Sequence, residues 1–450
     1  MLAAAPPRSF TPLRSRRATL CMPDSPFTPT ERGRTSRVRW WILTLLFLGT
    51  TLNYLDRMVM GILAPGLQKE YFISDIQYSY IQSAFAFCYA FGQMASGKWL
   101  DRIGTRLGYA LALAGWSISS MLHALVSGAW GFGIMRVFLG VTESPAYPAA
   151  TKAVAEWFPR RERAFAFGFI NAGTNMGVIA ASLTVPWLAS TYGWQWAFIG
   201  TGAAGFFALL LWIPIYKNPG EHPGVSAAEL AHINSDPPEP AGAPRWLDLV
   251  SSRQAWAFAM GKFLTDSMWW FYMTWLPKYL DHEYHLDLLQ VGLPLVVIYL
   301  ICDVGSIGGG WLSSALIKRG ATVNRARKTA MLVCAVGALP IIFAQKITGV
   351  WPAILVLGLV TASHQGFSSN LFTLVSDMFP RRAVATVTGF GGTWGYFGAS
   401  LFQIVVGYSV EKMHNYTVPF FCAGIAYLLA LLVIQLLAPR LTPANLECHP

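Results

Sequence analysis

Charge is scarce in this chain. Lys, Arg, Asp and Glu make up 12% of its 450 residues, about half of the roughly 25% found in soluble domains, while 54% are hydrophobic. Such a chain does not close as an ordinary water-soluble globule; the composition fits the lipid bilayer as solvent. Cysteine is scarce too: Cys88, Cys302, Cys334 and Cys422 lie singly in apolar runs, and Cys21 and Cys448 lie near the ends. That scatter offers neither a disulfide framework nor metal-ligand spacing. No motif for a nucleotide, metal or catalytic nucleophile stands out, so no cofactor or metal is expected and a membrane-embedded enzyme is disfavoured.

Long apolar runs are plentiful. Windows of about 20 residues give twelve of them, at 39–63, 77–99, 107–127, 130–154, 164–188, 194–216, 255–279, 288–316, 329–346, 350–375, 384–409 and 417–438. They predict an all-α integral membrane protein with twelve transmembrane helices in two pseudo-symmetric six-helix bundles. The net charge of +11 reflects topology rather than nucleic-acid binding. Taking the N-terminus as cytoplasmic, 24 of the 33 Lys and Arg fall on that side, and only Lys69, Lys278, Lys346 and Lys412 on the other. This bias is the positive-inside rule, and it places both termini in the cytoplasm.

Between the sixth and seventh runs lies the longest polar segment, 217–254, with "NPGEHPG" and "DPPEPAGAP" around a helical pattern at 226–235. It reads as a linker. The expected organisation is a basic cytoplasmic tail (1–38), an N-terminal bundle (39–216), the linker, a C-terminal bundle (255–438) and a short tail (439–450). The first tail also has something of a transit peptide's composition, and Met22 is an alternative start. The halves resemble each other: "FPRRERAFAFGFINAGTNMG" (158–177) and "FPRRAVATVTGFGGTWGYFG" (379–398) agree at eight of twenty positions. Each opens the fifth run of its half, as parallel repeats would.

The junction of the second and third runs reads "GKWLDRIGTRLG", with Gly97, Asp101, Arg102, Gly104 and Arg106. It resembles the loop signature of the major facilitator superfamily, which implies a latch of charge and backbone contacts that breaks and reforms as a carrier switches. The second half has Ser314 where the acid would stand, so any second latch must use other contacts. Within the superfamily the chain resembles the anion:cation symporters and, among them, bacterial hexuronate transporters. The resemblance spans about Arg39 to Arg440. It rests on "NYLDR" (53–57), "RVFLGVTESPAYPAATKAVAEWFPRRER" (136–163), "GKFLTDSMWWFYMTWLPKYL" (261–280) and "ASHQGFSSNLFTLVSDMFPRR" (362–382).

Charges inside the apolar runs need a partner or a function, since each costs ~2.5–3.5 kcal/mol on insertion scales. In the first run Asn53 and Arg57 share a helix face, flanked by Tyr54 and Asp56. In the fourth, Arg136 and Glu143 are seven apart, nearly on one face and roughly 10 Å along the axis. The two acids and two arginines can converge at one depth, a place for an anion and a proton. The alternative is pairing for stability alone, Arg136 with Glu143 and Asp56 with Arg57. The resemblance implies proton coupling at Asp56 and Glu143, and substrate carboxylate binding at Arg57 and Arg136.

Further candidates for sugar hydroxyls are Tyr54, Tyr89 and Gln93, the last two four apart on the second run, with Asn171 and Asn175 on the fifth. On the seventh, Lys262 and Asp266 with Trp269 and Trp270 either meet a sugar's hydroxyls and apolar face or form a structural pair beside ordinary aromatics. Trp275 is assigned to the aromatic belt at the membrane surface. On the tenth, His364, Gln365 and Asn370 are weaker candidates, and Asp303 on the eighth is an acid without an assigned role. The glycines of "GFGGTWGYFG" are expected to permit close helix approach.

Together these readings imply a monomeric inner-membrane carrier that imports a hexuronate with protons. Rivals are a carrier for an aldonate, glucarate or aromatic acid, a drug/proton antiporter, and a receptor that does not transport.

Overall fold

The computed structural model describes residues 36–236, 249–442 and 444. Most of the expected N-terminal tail, the linker's 237–248 and most of the C-terminal tail lie outside the described residues. The first half contains α1 (Val38–Tyr71), α2 (Asp75–Ile103), α3 (Thr105–Leu122), α4 (Gly128–Glu143), α5 (Ala146–Trp157), α6 (Arg160–Tyr192) and α7 (Trp194–Ile215). A short helix, α8 (Ala227–Ile233), lies in the linker. The second half contains α9 (Arg253–Tyr284), α10 (Leu288–Lys318), α11 (Val323–Ala338), α12 (Val350–Met378), α13 (Arg381–Met413) and α14 (Thr417–Leu437).

These helices make twelve spans, with two departures from the uniform runs read in the sequence. The fourth span is α4 and α5, broken at Ser144–Pro145, where proline has no N–H to continue the ladder. The ninth continues past α11 as a 3-10 stretch, Leu339–Lys346, with Pro340 in its first turn. Many helices overrun their apolar stretches: α1 continues to Tyr71, beyond Leu63. The fifth, sixth, eighth, ninth, tenth and twelfth spans are apolar enough to cross a bilayer on composition alone. Of the other six, the fourth falls short because its two helices, of 16 and 12 residues, are each too short alone, and the first, second and seventh carry buried polar groups of the interior.

Local signals repeat between halves. A Ser74–Gln77 capping box starts α2 and an Asp287–Gln290 box starts its counterpart α10, each satisfying orphan amides at a helix N-terminus. The turns that follow these two helices use Gly104 (φ +81°) and Gly320 (φ +90°), a region open to glycine. Packing repeats as well. The helix pairs α1/α6, α2/α4 and α3/α7 are mirrored by α9/α13, α10/α12 and α11/α14. A Cβ on Gly177 would strike the Thr51 carbonyl of α1, and one on Gly398 the Phe263 carbonyl of α9. Small residues let these backbones touch, the role expected of the eleventh span's glycines.

The bundles meet through α2/α13, α6/α10 and α1/α9. On the face opposite the termini they are latched. Lys278 pairs with Asp75, Glu411 accepts from the Ile76 amide at 2.7 Å, and the Tyr80 and Tyr408 hydroxyls bond at 2.7 Å. Ser83 and Ser400 bond one turn deeper at 2.8 Å. Trp275, expected at the lipid surface, is fully buried here, donating Nε1–H to Gln403 at 2.6 Å and packing on Tyr78. Its indole finds an acceptor on α13 of its own bundle instead of among headgroups.

Candidate functional site

Two helices that run in opposite directions, α1 and α4, set the site. Arg57 comes from the middle of α1, and Glu143 is the last residue of α4, just before the Pro145 break. Arg57 Nε donates to Glu143 Oε2 at 2.8 Å, and both side chains are buried. Aromatic rings enclose the guanidinium: its carbon lies 4.7 Å from the ring centres of Tyr54 and Tyr89, 5.7 Å from Phe85 and 5.6 Å from Trp270. Such rings favour a cation while excluding water. The cage is completed from the other bundle, where Tyr396 stacks on Tyr89 at 4.1 Å and its hydroxyl accepts from Arg57 Nη1 at 3.1 Å.

Neither pairing of the stability-only alternative is present. Asp56 turns away from Arg57 and accepts from the Ser120 hydroxyl of α3 at 2.9 Å; that hydroxyl also lies 3.3 Å from Thr201 of α7. Arg136 is 1% exposed, lies 5.8 Å from the Phe85 ring, and has no hydrogen-bond partner for Nε or Nη2. Asp56 Oδ2, Glu143 Oε1 and Asn53 Nδ2 are likewise buried and unpartnered. The N-terminal bundle thus holds Arg136 and two carboxylates with bonding capacity left over in a buried interior, where unsatisfied polar groups are costly.

The weaker candidates divide. Tyr54, Tyr89 and Trp270 join the Arg57 cage. Gln93 is half-buried beside Gly392 of α13, its Oε1 without a partner. Asn175 bonds Asp303 across the bundle interface, which gives that acid a partner, and Asn171 is exposed one turn nearer the termini.

Lys262 and Asp266 close on each other at 2.7 Å, with the Lys262 ammonium 4.5 Å from the Phe372 ring. Trp269 leaves its neighbour Trp270 and stacks on His364 at 4.9 Å, with the planes 10° apart. His364 Nδ1 is 3.1 Å from the Tyr427 hydroxyl. Gln365 is half-buried on the same helix. The Asn370 Nδ2 donates to the Gly366 carbonyl of its own helix and to the Gly309 carbonyl of α10, both at 2.9 Å, and the second bond ties α12 to α10; its Oδ1 is buried without a partner.

The latch residues face the end that bears the termini. Lys152 of α5 bonds Asp101 at 2.7 Å and the Leu100 carbonyl at 3.1 Å, and Arg106 donates to the Ile213 carbonyl of α7 at 2.7 Å. Gly97 and Arg102 are exposed, and a Cβ on Gly97 would meet nothing within 4 Å. Glu156 accepts from Thr105 at 2.7 Å and from Tyr216 at 2.5 Å. In the second half, where the loop acid is missing, Arg327 of α11 bonds Asp377 at 3.2 Å and Ser313 at 2.8 Å. Asp377 stands two residues before Phe379, as Glu156 does before Phe158.

Phe85, Ser120, Thr201 and Tyr396 were not singled out from the sequence. For Tyr396 a signal existed: it occupies in the second repeat the place of Asn175 in the first, seventeen residues after the Phe that opens each motif.

The family model described as Major Facilitator Superfamily matches residues 46–403. The chain belongs to the major facilitator superfamily. Members of this superfamily are membrane transporters, so the chain is a multi-pass membrane transporter and not an enzyme. It is 33% identical over 379 residues to the hexuronate transporter of Escherichia coli (strain K12), covering 82% of this chain and 87% of that one. It is 30% identical over 396 residues to the D-galactonate transporter of Escherichia coli O6:H1, covering 85% and 92%. Among solved structures the crystal structure of D-xylose-proton symporter matches with a TM-score of 0.68 at 16% identity, covering 89% of this chain and 98% of that one. That likeness concerns the facilitator fold alone.

Proposed function

We propose that this facilitator imports a sugar acid together with protons across the inner membrane, with a hexuronate as the first substrate to test. The observation that carries the reading is Arg136. It is a fully buried guanidinium with two free donors, in the bundle where Arg57 is held by Glu143. A planar fork without a carboxylate partner suits an incoming carboxylate. Relatives named as hexuronate, galactonate and galactarate/glucarate transporters support a polyhydroxy acid.

Protons have a place in the same scheme. Asp56 and Glu143 each keep one buried oxygen without a hydrogen bond, and protonation would turn that oxygen into a neutral hydroxyl at lower desolvation cost. A proton on Glu143 loosens its hold on Arg57, which then joins Arg136 on the substrate carboxylate. Net charge in the closed site stays small, and the bundles rock about it. Asn53, Tyr54, Tyr89 and Gln93 remain the proposed hydroxyl partners, and the Asp101 loop the proposed latch. Both termini and the linker are placed in the cytoplasm by the distribution of basic residues; labelling of a linker cysteine by an impermeant reagent outside intact cells would reverse that.

The test is uptake into proteoliposomes with an inward pH gradient, comparing D-galacturonate, D-galactonate, galactarate and a cationic dye. Concentrative uptake of galacturonate that collapses with a protonophore is the expected result. Preference for galactonate or galactarate would move the substrate within the sugar acids, and dye transport without any acid would sink the reading.

A further inference from the structure

The cage around Arg57 includes one hydroxyl from the opposite bundle, and its position is informative. Of the guanidinium's donors, Nε is taken by Glu143 and Nη1 by the Tyr396 hydroxyl. A carboxylate gripping the outer edge of Arg57 through both terminal nitrogens requires that Nη1 donor. Nη1 carries two N–H groups, but the Tyr396 oxygen, 3.1 Å away, stands at the terminal-nitrogen edge that such a carboxylate would approach and so competes with it. Tyr396 is also held for the role: its ring stacks on Tyr89 at 4.1 Å and lies 5.6 Å from Trp270, so the hydroxyl stays aimed at Arg57 from α13. One turn away the same two helices make the Ser83–Ser400 bond toward the latched face.

We infer that Tyr396 is a positioning residue that stands in for the substrate carboxylate on Arg57, holding the bundles together when the carrier returns unloaded. A symporter must make that return after every delivery, whereas exchange of substrate for substrate never uses it. Without a surrogate, the unloaded carrier would have to close over an Arg57 donor left unbonded in a dry site, which is costly. The inference rests on the reading of Arg57 as a carboxylate ligand.

Tyr396→Phe keeps the ring stack and removes only the hydroxyl. In proteoliposomes containing D-galacturonate on both sides, counterflow should be retained within about twofold, with half-saturation at equal or lower concentration because the competitor is gone. Net pH-driven uptake should fall about fivefold or more, on the scale of one hydrogen bond to a charged group. Equal loss of both modes would make Tyr396 a substrate ligand or a folding residue. No change in either would make the bond idle. Either result overturns the inference.

A second measurement needs no substrate. In a background without the native cysteines, a Ser400→Cys reporter, buried between α2 and α13, should react with an impermeant thiol reagent several-fold faster when combined with Tyr396→Phe. An unchanged rate would show that the hydroxyl does not hold the bundles closed. If wild type exchanges no sugar acid but the Ser400→Cys rate still rises, it is the sugar-acid reading that fails, and Tyr396 keeps its closing role without carboxylate mimicry.

Discussion

The two bundles are built alike and furnished differently. Counting six residues past the carbonyl that touches the packing glycine leads to Arg57 in α1 and Trp269 in α9; counting fifteen residues back from the repeated Phe-Pro-Arg-Arg leads to Glu143 in the first half and His364 in the second. Where the N-terminal bundle has an ion pair at 2.8 Å, the C-terminal bundle has two stacked rings at 4.9 Å. Of the second bundle's interior charges, Lys262 and Asp266 neutralise each other within one helix at 2.7 Å, and Asp303 bonds Asn175 of the other bundle. One bundle therefore holds buried charged groups with unfilled hydrogen-bonding capacity, while the other presents stacked rings beside charges already partnered. A rocking carrier can use that division: a mobile charge in one half and a surface in the other that tolerates either charge state.

Breaking the charged half should have the largest effect. Arg136→Lys keeps the charge but loses the fork, and a lost buried charged contact costs ~2 kcal/mol or more, so galacturonate affinity should fall at least about thirtyfold by calorimetry. The thermal midpoint without ligand should stay close to wild type, since Arg136 Nε and Nη2 support no hydrogen bond. Unchanged affinity would make Arg136 a packing residue.

Glu143→Gln should separate two activities. Glutamine resembles the protonated acid but cannot release a proton, so counterflow should continue while pH-driven uptake stops when inside and outside concentrations are equal. Loss of both activities would assign Glu143 to structure or substrate, and retention of both would move coupling to Asp56.

The same comparison predicts a milder result from the ring pair. His364→Asn removes a stack worth ~0.5–1.5 kcal/mol, so affinity should fall about two- to tenfold. Accumulation under a pH gradient should persist, because the pair in this half carries no proton in transit. If accumulation stops instead, the division of labour between the bundles is wrong.

Much of this was legible in the sequence, for identifiable reasons. Hydrocarbon makes apolar length and basic asymmetry strong signals, so the twelve spans and the internal repeat could be read directly. The convergence of residues 56, 57, 136 and 143 followed from helical periodicity and depth. Pairing did not follow, because periodicity gives a face and not a rotamer: Asp56 found Ser120 on α3, and Glu143 took Arg57 and left Arg136 unpaired. Trp275 was misplaced for a related reason. A tryptophan near a span's end suits the headgroup region, and only the position of Gln403 on another helix reveals an internal acceptor. The Arg327–Asp377 pair of the second half was hidden because its acid comes from α12 rather than from the loop.

The smallest effect should come from Asn370, the candidate whose surroundings most resemble packing. Gly309 and Gly366 bring α10 and α12 close enough that added Cβ atoms would collide with the facing backbone, and the Asn370 amide bonds both their carbonyls at 2.9 Å. Interhelical hydrogen bonds in membranes average ~0.6 kcal/mol, because the unfolded chain in lipid also finds partners. Asn370→Ala should therefore lower stability by about that amount, read as a small drop in the unfolding midpoint in detergent. Galacturonate affinity and the pH dependence of uptake should stay at wild-type values, since the Nδ2 donors are spent on backbone carbonyls of α10 and α12 and no charge is altered. If affinity falls more than stability does, Asn370 reaches the substrate after all, and the C-terminal bundle contributes a polar ligand one and a half turns beyond His364 on α12.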